Sequence, residues 1–596
     1  RGITIELGFA HTAIGETRVA FIDVPGHERF VRTMLAGVGG IDSVLLIVAS
    51  DESVMPQTRE HFDICRLLRI PRGIVVLTKS DLTDADTRAL VRQDVAELVK
   101  GSFLADAPVV DVSATTGEGL DRLRELIVEQ ASLAAHRPSE GAVRLPIDRS
   151  FTMKGFGTVV TGTLVSGRIA VDDELVVQPG DRVVKVRGVQ VHGRQAREVT
   201  AGQRAAINLG GVDVGDVSRG ETLMAAGSLS ITRRVDAEVD LLPSAKPLKH
   251  GARVRVHHGT AEVLGRVSIA GTAQELAPGE STLLRIRLEA PAVLTRGDRF
   301  IVRAYSPPIT IGGGVVIDPS PTRPGIRSAD GQASLVRLRI AGDGVDAVAA
   351  MIEAAGLPGM TQATLVSRAG VARSQLASVL HALEARGVAR AGDRLITGVR
   401  LEEAADALVA LVAASHRANP MSDGLPREEA REKVFARVPA VVFDTVLERL
   451  KQRNVLVGAE RLALPTHRAT VAGGDDRVRQ AIVEAYRAGG LKPPDLATVE
   501  VLAKSPASII EKVTALLLRE KLLVRLDSIV FHADALQGLK EDVRALKASA
   551  PGGRVTVDVA AFKDRYGLSR KFAIPLLEYL DRERVTRRTG DVRQVL

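Results

Sequence analysis

Three short motifs near the start of the chain carry side chains that could do chemistry together. In FIDVPGH the strand-like run FIDV ends at Asp23 and passes through Pro25 into Gly26 and His27. A carboxylate at a strand's end can hold Mg2+ through water, and a glycine amide, with no Cβ in the way, can approach a terminal phosphate closely. TKSD places Thr78, Lys79, Ser80 and Asp81 at the end of a later apolar run, and Ser113 and Ala114 end another. Asp81 can accept from the two N–H donors on the edge of guanine, a pairing adenine cannot match. Lys79 can lie along the base, and the Ser113-Ala114 backbone can meet the guanine carbonyl. One DxxG alone is common by chance. Three motifs at successive strand ends imply GTP/GDP and Mg2+ as cofactors and GTP hydrolysis as the reaction, against the alternative of three ordinary turns.

These motifs need strands to hold them. VAFIDV, VLLIVA, GIVVLTKSD and APVVDVSA read as strands, and segments such as TRALVRQDVAELVKG carry apolar residues at helical spacing, so residues 1–136 are expected to form a parallel α/β sheet with βαβ crossovers. Gly-punctuated, Val- and Arg-rich strands then fit two β-barrels, at 141–229 and 230–320. Beyond them a unit recurs of helix, short helix, turn, longer helix and strand pair, at 336–397, 400–467, 474–533 and 536–596. Helix-turn-helix spacing followed by a hairpin is the winged-helix pattern. A helical solenoid is the plainer alternative, and the strand pair closing each unit argues against it. The expected fold is multidomain: an incomplete α/β P-loop GTPase-type domain, two β-barrels and four C-terminal winged helices.

Composition excludes other classes. Hydrophobic residues at 45% and charged residues at 26% are the ordinary globular balance. Aromatics at 3%, with no Trp, exclude nucleic-acid binding by rows of stacked rings. A lone cysteine, Cys65, excludes a disulfide framework and a Cys-rich zinc site and is expected to be a core thiol in a cytoplasmic protein. No apolar run approaches the ~18 residues of a membrane span, so no membrane partner is expected. The net charge of +8 points to a polyanion, and from Lys540 onward 13 Lys and Arg stand against 8 Asp and Glu.

On these residues the chain resembles the translational GTPases. RGITI looks like their switch I, which implies that Thr4 coordinates Mg2+. GHE after DVP looks like their switch II, which implies that His27 orients the attacking water or stabilises the transition state. RGITIELGFA, MLAGVGG, MPQTREH, Thr78 where most GTPases have Asn, VHHGTAEVLGRV and the four winged helices together resemble the SelB family of selenocysteine-specific elongation factors, over essentially the whole length. A GxxxxGK[ST] loop is absent from residues 1–136. In the family that loop lies upstream of switch I, so the chain is expected to lack its first strand, P-loop and helix. Weak GTP binding by this chain, and hydrolysis by the intact protein, are the consequence.

The resemblance implies a monomeric factor that delivers selenocysteyl-tRNA to the ribosome at a recoded stop codon. Its aminoacyl pocket maps onto Phe9, Asp148, Arg149 and Arg204. A selenol is more acidic than a thiol and largely anionic at neutral pH, so fixed positive charge from Arg149 and Arg204 would prefer it to a neutral serine hydroxyl. Asp148 would receive the α-amino group or orient an arginine. The plain alternative for each arginine is a solvated barrel surface. The last winged helix is expected to read an mRNA hairpin through Arg565, Arg570, Lys571, Arg584, Arg587, Arg588 and Arg593, with a solvated basic face as the alternative. The earlier winged helices, without such a cluster, read as spacers. Two rival functions stay open: another translational GTPase, and a winged-helix DNA-binding regulator with a degenerate GTPase domain.

Overall fold

Apolar runs without polar alternation belong in strands covered on both faces. The computed structural model describes all residues except 1–5, 28, 29, 39, 135–140, 156, 230, 322–324, 343, 372, 421, 468–475 and 549–554. The chain divides into two compact units, Arg1–Arg400 and Leu401–Leu596. In the first, Gly73–Thr78 is the middle strand of a three-stranded parallel sheet between Val44–Ala49 and Val109–Asp111. Val75 and Leu77 pack with Val91, Val95 and Val99 of the helix Ala85–Val99, while Ile74 and Val76 pack with Leu126 of the helix Leu120–Ser132.

The VAFIDV run departs from the expected topology. Thr17–Asp23 is not part of the parallel sheet but pairs antiparallel with Gly8–Ile14, from Ile14 opposite Thr17 to Gly8 opposite Asp23. Only Gly15 and Glu16 join the two strands, with Gly15 at φ +60°. So short a link makes a hairpin, whereas a parallel neighbour needs a crossover of about a dozen residues or more.

Two β domains follow. The first is an eight-stranded antiparallel sheet whose strands, from Arg144–Pro146 to Thr222–Met224, share one core with Leu145, Ile147, Val160, Val177, Val186, Ile207 and Leu223 fully buried. The second is a closed six-stranded barrel running from Ile231–Leu241 to Thr310–Asp318. The helix Pro56–Leu67 docks on this barrel: Ile64, Cys65 and Leu67 share a core with Leu242 and Ile301, and Thr310 Oγ1 donates to Glu60 Oε1 at 2.9 Å. Gly313 permits the approach, since a Cβ there would lie 2.9 Å from Leu67 Cβ. Cys65 is a core thiol, its pKa pushed up to about 12 by burial.

The helical region repeats as its pattern predicts. The three-helix sets are Val345–Ala355, Gln362–Ala369 and Leu376–Ala385; Gly398–Ala418, Arg427–Val434 and Ala440–Gln452; Asp476–Gly489, Leu496–Ala503 and Ala507–Arg519; and Ala533–Ala548, Val559–Tyr566 and Arg570–Arg582. The first, third and fourth end in hairpins, such as Thr586–Thr589 with Val592–Val595. In the second the wing shrinks to a bridge between Val457 and Ala463, because Leu462 pairs instead with Leu425. The first winged helix packs directly on the barrel. Ile317 shares a core with Leu335, Met351, Leu365 and Leu395, and the buried Arg368 guanidinium binds both oxygens of Asp318 at 2.8 and 2.5 Å. No described helix is long and apolar enough to cross a membrane.

Candidate functional site

Adjacent parallel strands bring their C-terminal ends together, and here they bring TKSD beside the Ser113-Ala114 turn. Ser80 N donates to Val112 O at 3.2 Å and Ser80 Oγ to Glu118 Oε2 at 3.1 Å. Ser113 is buried and its Oγ accepts from the amides of Thr115 and Thr116, which leaves Ala114 exposed on the turn. Asp81 is exposed in the short 3-10 turn Ser80–Leu82. Thr78 Oγ1 is directed to Val48 O, at 3.5 Å. Lys79 adopts φ +56°, and its ammonium is held by Asp51 at 2.9 and 3.0 Å and Glu52 at 3.1 Å, which keep its pKa above the ordinary lysine value. Its aliphatic stem is therefore the part free to lie along a base.

Asp23 ends its strand exposed, Pro25 is buried, and Gly26 is exposed with nothing within 4 Å of where a Cβ would stand. His27 is half-buried, with its ring 5.9 Å from that of Phe30 and its carbonyl accepting from Phe30 N at the entry to the helix Val31–Val38. Thr4 lies outside the described residues.

Phe9, Asp148, Arg149 and Arg204, separated by up to 195 positions, meet in space. Arg149 and Arg204 sit on the two strands that flank Gly157–Thr163, opposite Thr161 and Thr163. The Arg204 guanidinium lies 3.5 Å from the Phe9 ring centroid and Arg149 5.8 Å from it. Arg204 is bound at both nitrogens by buried Asp148, with Nη2 to Oδ1 at 3.0 Å, and Thr161 Oγ1 donates to the same Oδ1 at 2.6 Å. Asp148 is thus committed to the Arg204 guanidinium. Arg149 is tied to Leu7 O at 3.0 Å and Glu6 at 3.1 Å. Beside this group a cavity of about 220 Å3 opens, lined by Phe9, Asp148 and Arg204 on one side and by Arg144, His258 and Thr260 on the other.

The basic set of the last winged helix is not uniform. Arg565, Arg570, Lys571, Arg584, Arg587 and Arg588 are exposed. Arg593 is corrected: it is buried, with Nε donating to Asp581 Oδ2 at 2.8 Å, and so is a structural residue inside the wing. Sequence reasoning also missed the junction of the two β domains. Arg144 donates to both oxygens of Asp298 at 2.8 Å and approaches His258 Nε2 at 2.6 Å. No spacing rule pairs residues 154 positions apart; only the VHHGT motif, already conspicuous, signalled that this strand mattered.

Comparison with known proteins agrees with this architecture. The elongation factor Tu GTP binding domain matches residues 1–132, elongation factor Tu domain 2 matches 157–224, and the selenocysteine-specific elongation factor beta-barrel domain matches 233–323. Two elongation factor SelB winged-helix families match 409–460 and 554–595. The chain is 38% identical over 603 aligned positions to the selenocysteine-specific elongation factor of Desulfomicrobium baculatum, covering 100% of this chain and 94% of that protein. It is 31% identical to that of Escherichia coli, covering 99% and 92%. Among solved structures, a bacterial selenocysteine-specific elongation factor EF-Sec aligns with a TM-score of 0.67 at 24% identity, over 100% of this chain and 94% of that one, which speaks for the shared fold.

Proposed function

Since the chain belongs to the selenocysteine-specific elongation factors, which are translational GTPases, we propose that it delivers selenocysteyl-tRNA to the ribosome while its last winged helix holds an mRNA hairpin. The observation that carries the aminoacyl part is that Phe9, Asp148 and Arg204 line one cavity, with the Arg149 guanidinium 5.8 Å from the Phe9 ring centroid. A residue roll drawn from the resemblance need not have met in space; this one does.

Guanine is bound by Asp81, with Lys79 along the base and Ser113-Ala114 at its carbonyl. Mg2+ would neutralise phosphate charge and would be held by Asp23 through water and by Thr4. Pro25 fixes the turn, the Gly26 amide approaches the γ-phosphate, and His27 positions the attacking water. These residues fit the group: two carboxylates, Asp23 and Asp81, stand exposed at strand ends, where a cation and a base edge can reach them. The factor works in the cytoplasm as a monomer.

Arg204 discriminates. Its charge is balanced by Asp148 when the cavity has no ligand, and a selenolate entering beside it gains a charge-assisted interaction that a serine hydroxyl does not. The exposed arginines of the last winged helix meet hairpin phosphates and an unstacked loop base.

The test compares selenocysteyl-tRNA with seryl-tRNA on one tRNA body, with a non-hydrolysable GTP analogue at saturation. The wild type is expected to prefer selenocysteyl-tRNA, and Arg204→Ala to bring the two affinities together with guanine-nucleotide affinity intact. Equal affinities in the wild type would sink the pocket.

A further inference from the structure

The side of the cavity facing Phe9, Asp148 and Arg204 is built largely by the VHHGTAEV hairpin of the closed barrel. His257, His258, Gly259 and Thr260 all line it. The hairpin is wedged against both neighbouring domains. Glu262 receives Arg32 Nε at 2.9 Å from the helix that follows His27. Gly259, at φ +52°, sits where a Cβ would touch Pro146 at 3.5 Å, and His258 is fixed by Arg299 O at 3.1 Å and Arg144 at 2.6 Å. Every polar group of His258 is thus occupied with structure. The same is not true of its two neighbours.

His257 Nε2 and Thr260 Oγ1 are buried and have no hydrogen-bond partner among the described residues. The two residues are only 4% and 9% exposed. Buried polar atoms in a native fold are nearly always paired, so two unpaired ones on one cavity wall point to a partner that arrives from outside the chain. A volume of about 220 Å3 is below the ~300–1,000 Å3 of clefts that take whole cofactors, and suits a single aminoacyl group better than a nucleotide.

We propose that His257 and Thr260 form a barrel-borne specificity wall of the aminoacyl cavity, donating hydrogen bonds to the selenolate end of the group that Arg204 receives. The inference rests on the aminoacyl-pocket reading above and adds to it a third domain. Both side chains can donate. His257 is held neutral, its pKa pushed down to about 4 by burial and only partly countered by Glu262, so it offers an N–H and no second charge. Neutral donors suit an anion that enters beside an arginine already balanced by Asp148, because they add hydrogen bonds without adding charge. Hydrogen bonds to an ionised acceptor are roughly twice as strong as neutral ones, so the wall favours the selenolate over the serine hydroxyl.

The two-tRNA binding assay tests this with Thr260→Val and His257→Leu. Thr260→Val exchanges an unpaired hydroxyl for a methyl of the same shape. It is expected to weaken selenocysteyl-tRNA binding about tenfold or more, to weaken seryl-tRNA binding less, and to leave the melting temperature unchanged or higher. A hydroxyl with a merely structural role would lower that temperature instead. If both variants keep the wild-type ratio of affinities while Arg204→Ala erases it, water satisfies the two atoms and the inference falls with the pocket reading standing. If the wild type has no preference, or binds neither tRNA, the reading and the inference fall together.

Discussion

Arg588 and Arg593 face each other across the terminal hairpin, yet one is exposed and the other buried. Like charges directly opposite in a ladder repel, and Asp581, reaching over from the helix Arg570–Arg582, relieves the pair by taking Arg593. Arg588 is left exposed, with Nε donating to Gly590 O at 3.3 Å. Arg588→Ala should weaken hairpin binding and reduce the salt dependence of log K by roughly one unit, as for a lost phosphate contact; titration at several salt concentrations checks it. Loss of guanine-nucleotide affinity as well would indicate misfolding. A second residue-level outcome concerns pH. His257 has a pKa lowered by burial to about 4 from the ordinary 6.5, and burial lowers His258 too. Above about 6.5 the His257 ring is neutral in both folded and unfolded chains. Between 6.5 and 4 the unfolded chain takes up a proton that the folded one refuses, so stability falls as pH falls, by roughly 3 kcal/mol at most for His257. Melting temperatures from pH 7.5 to 5 should decline, and His257→Leu should make the decline shallower. The sequence placed Arg588 and Arg593 together in the last winged helix. Which arginine is spent internally was not legible, because it depends on a carboxylate from another element.

Helices and strands were more legible than their partners. The second helices of the first, third and fourth winged units start at Thr361, Asp495 and Asp558, each accepting from the backbone amide three residues on at 2.7 to 3.1 Å. Such caps are local and readable, and each contributes about 1 kcal/mol. The docking of the first winged helix on the barrel is not local. It centres on Arg368 and Asp318, 5% and 3% exposed and 50 positions apart. Arg368→Ala should destabilise the first unit by about 3–5 kcal/mol by leaving a buried carboxylate unpaired. Joint replacement of both residues by apolar ones should restore much of that. Urea unfolding of both single variants and the paired variant checks both outcomes; a paired loss equal to the sum of the single losses would mean the pair carries no coupling. The FIDV strand teaches the same distinction. Its strand character was plain, but its partner was set by a two-residue turn that a periodicity reading did not weigh.

At the level of the whole molecule, the chain joins a nucleotide-binding sheet and a barrel-lined cavity, both within Arg1–Arg400, to a basic wing within Leu401–Leu596. The sequence by itself determined the order of these parts and the chemistry each can offer. Apolar periodicity fixes strands and helices through local burial, and strand-end motifs such as TKSD keep their chemical groups in adjacent residues. Tertiary structure alone decided which of the offered groups are free. Arg204 is balanced by Asp148 and stacked on Phe9, Lys79 is held by Asp51 and Glu52, and Arg593 is buried on Asp581. His257 Nε2 and Thr260 Oγ1 have no hydrogen-bond partner among the described residues. The physical reason is that a charge or a hydrogen bond is satisfied by whatever lies within about 3 Å in space, and folding brings to that distance residues the chain keeps far apart.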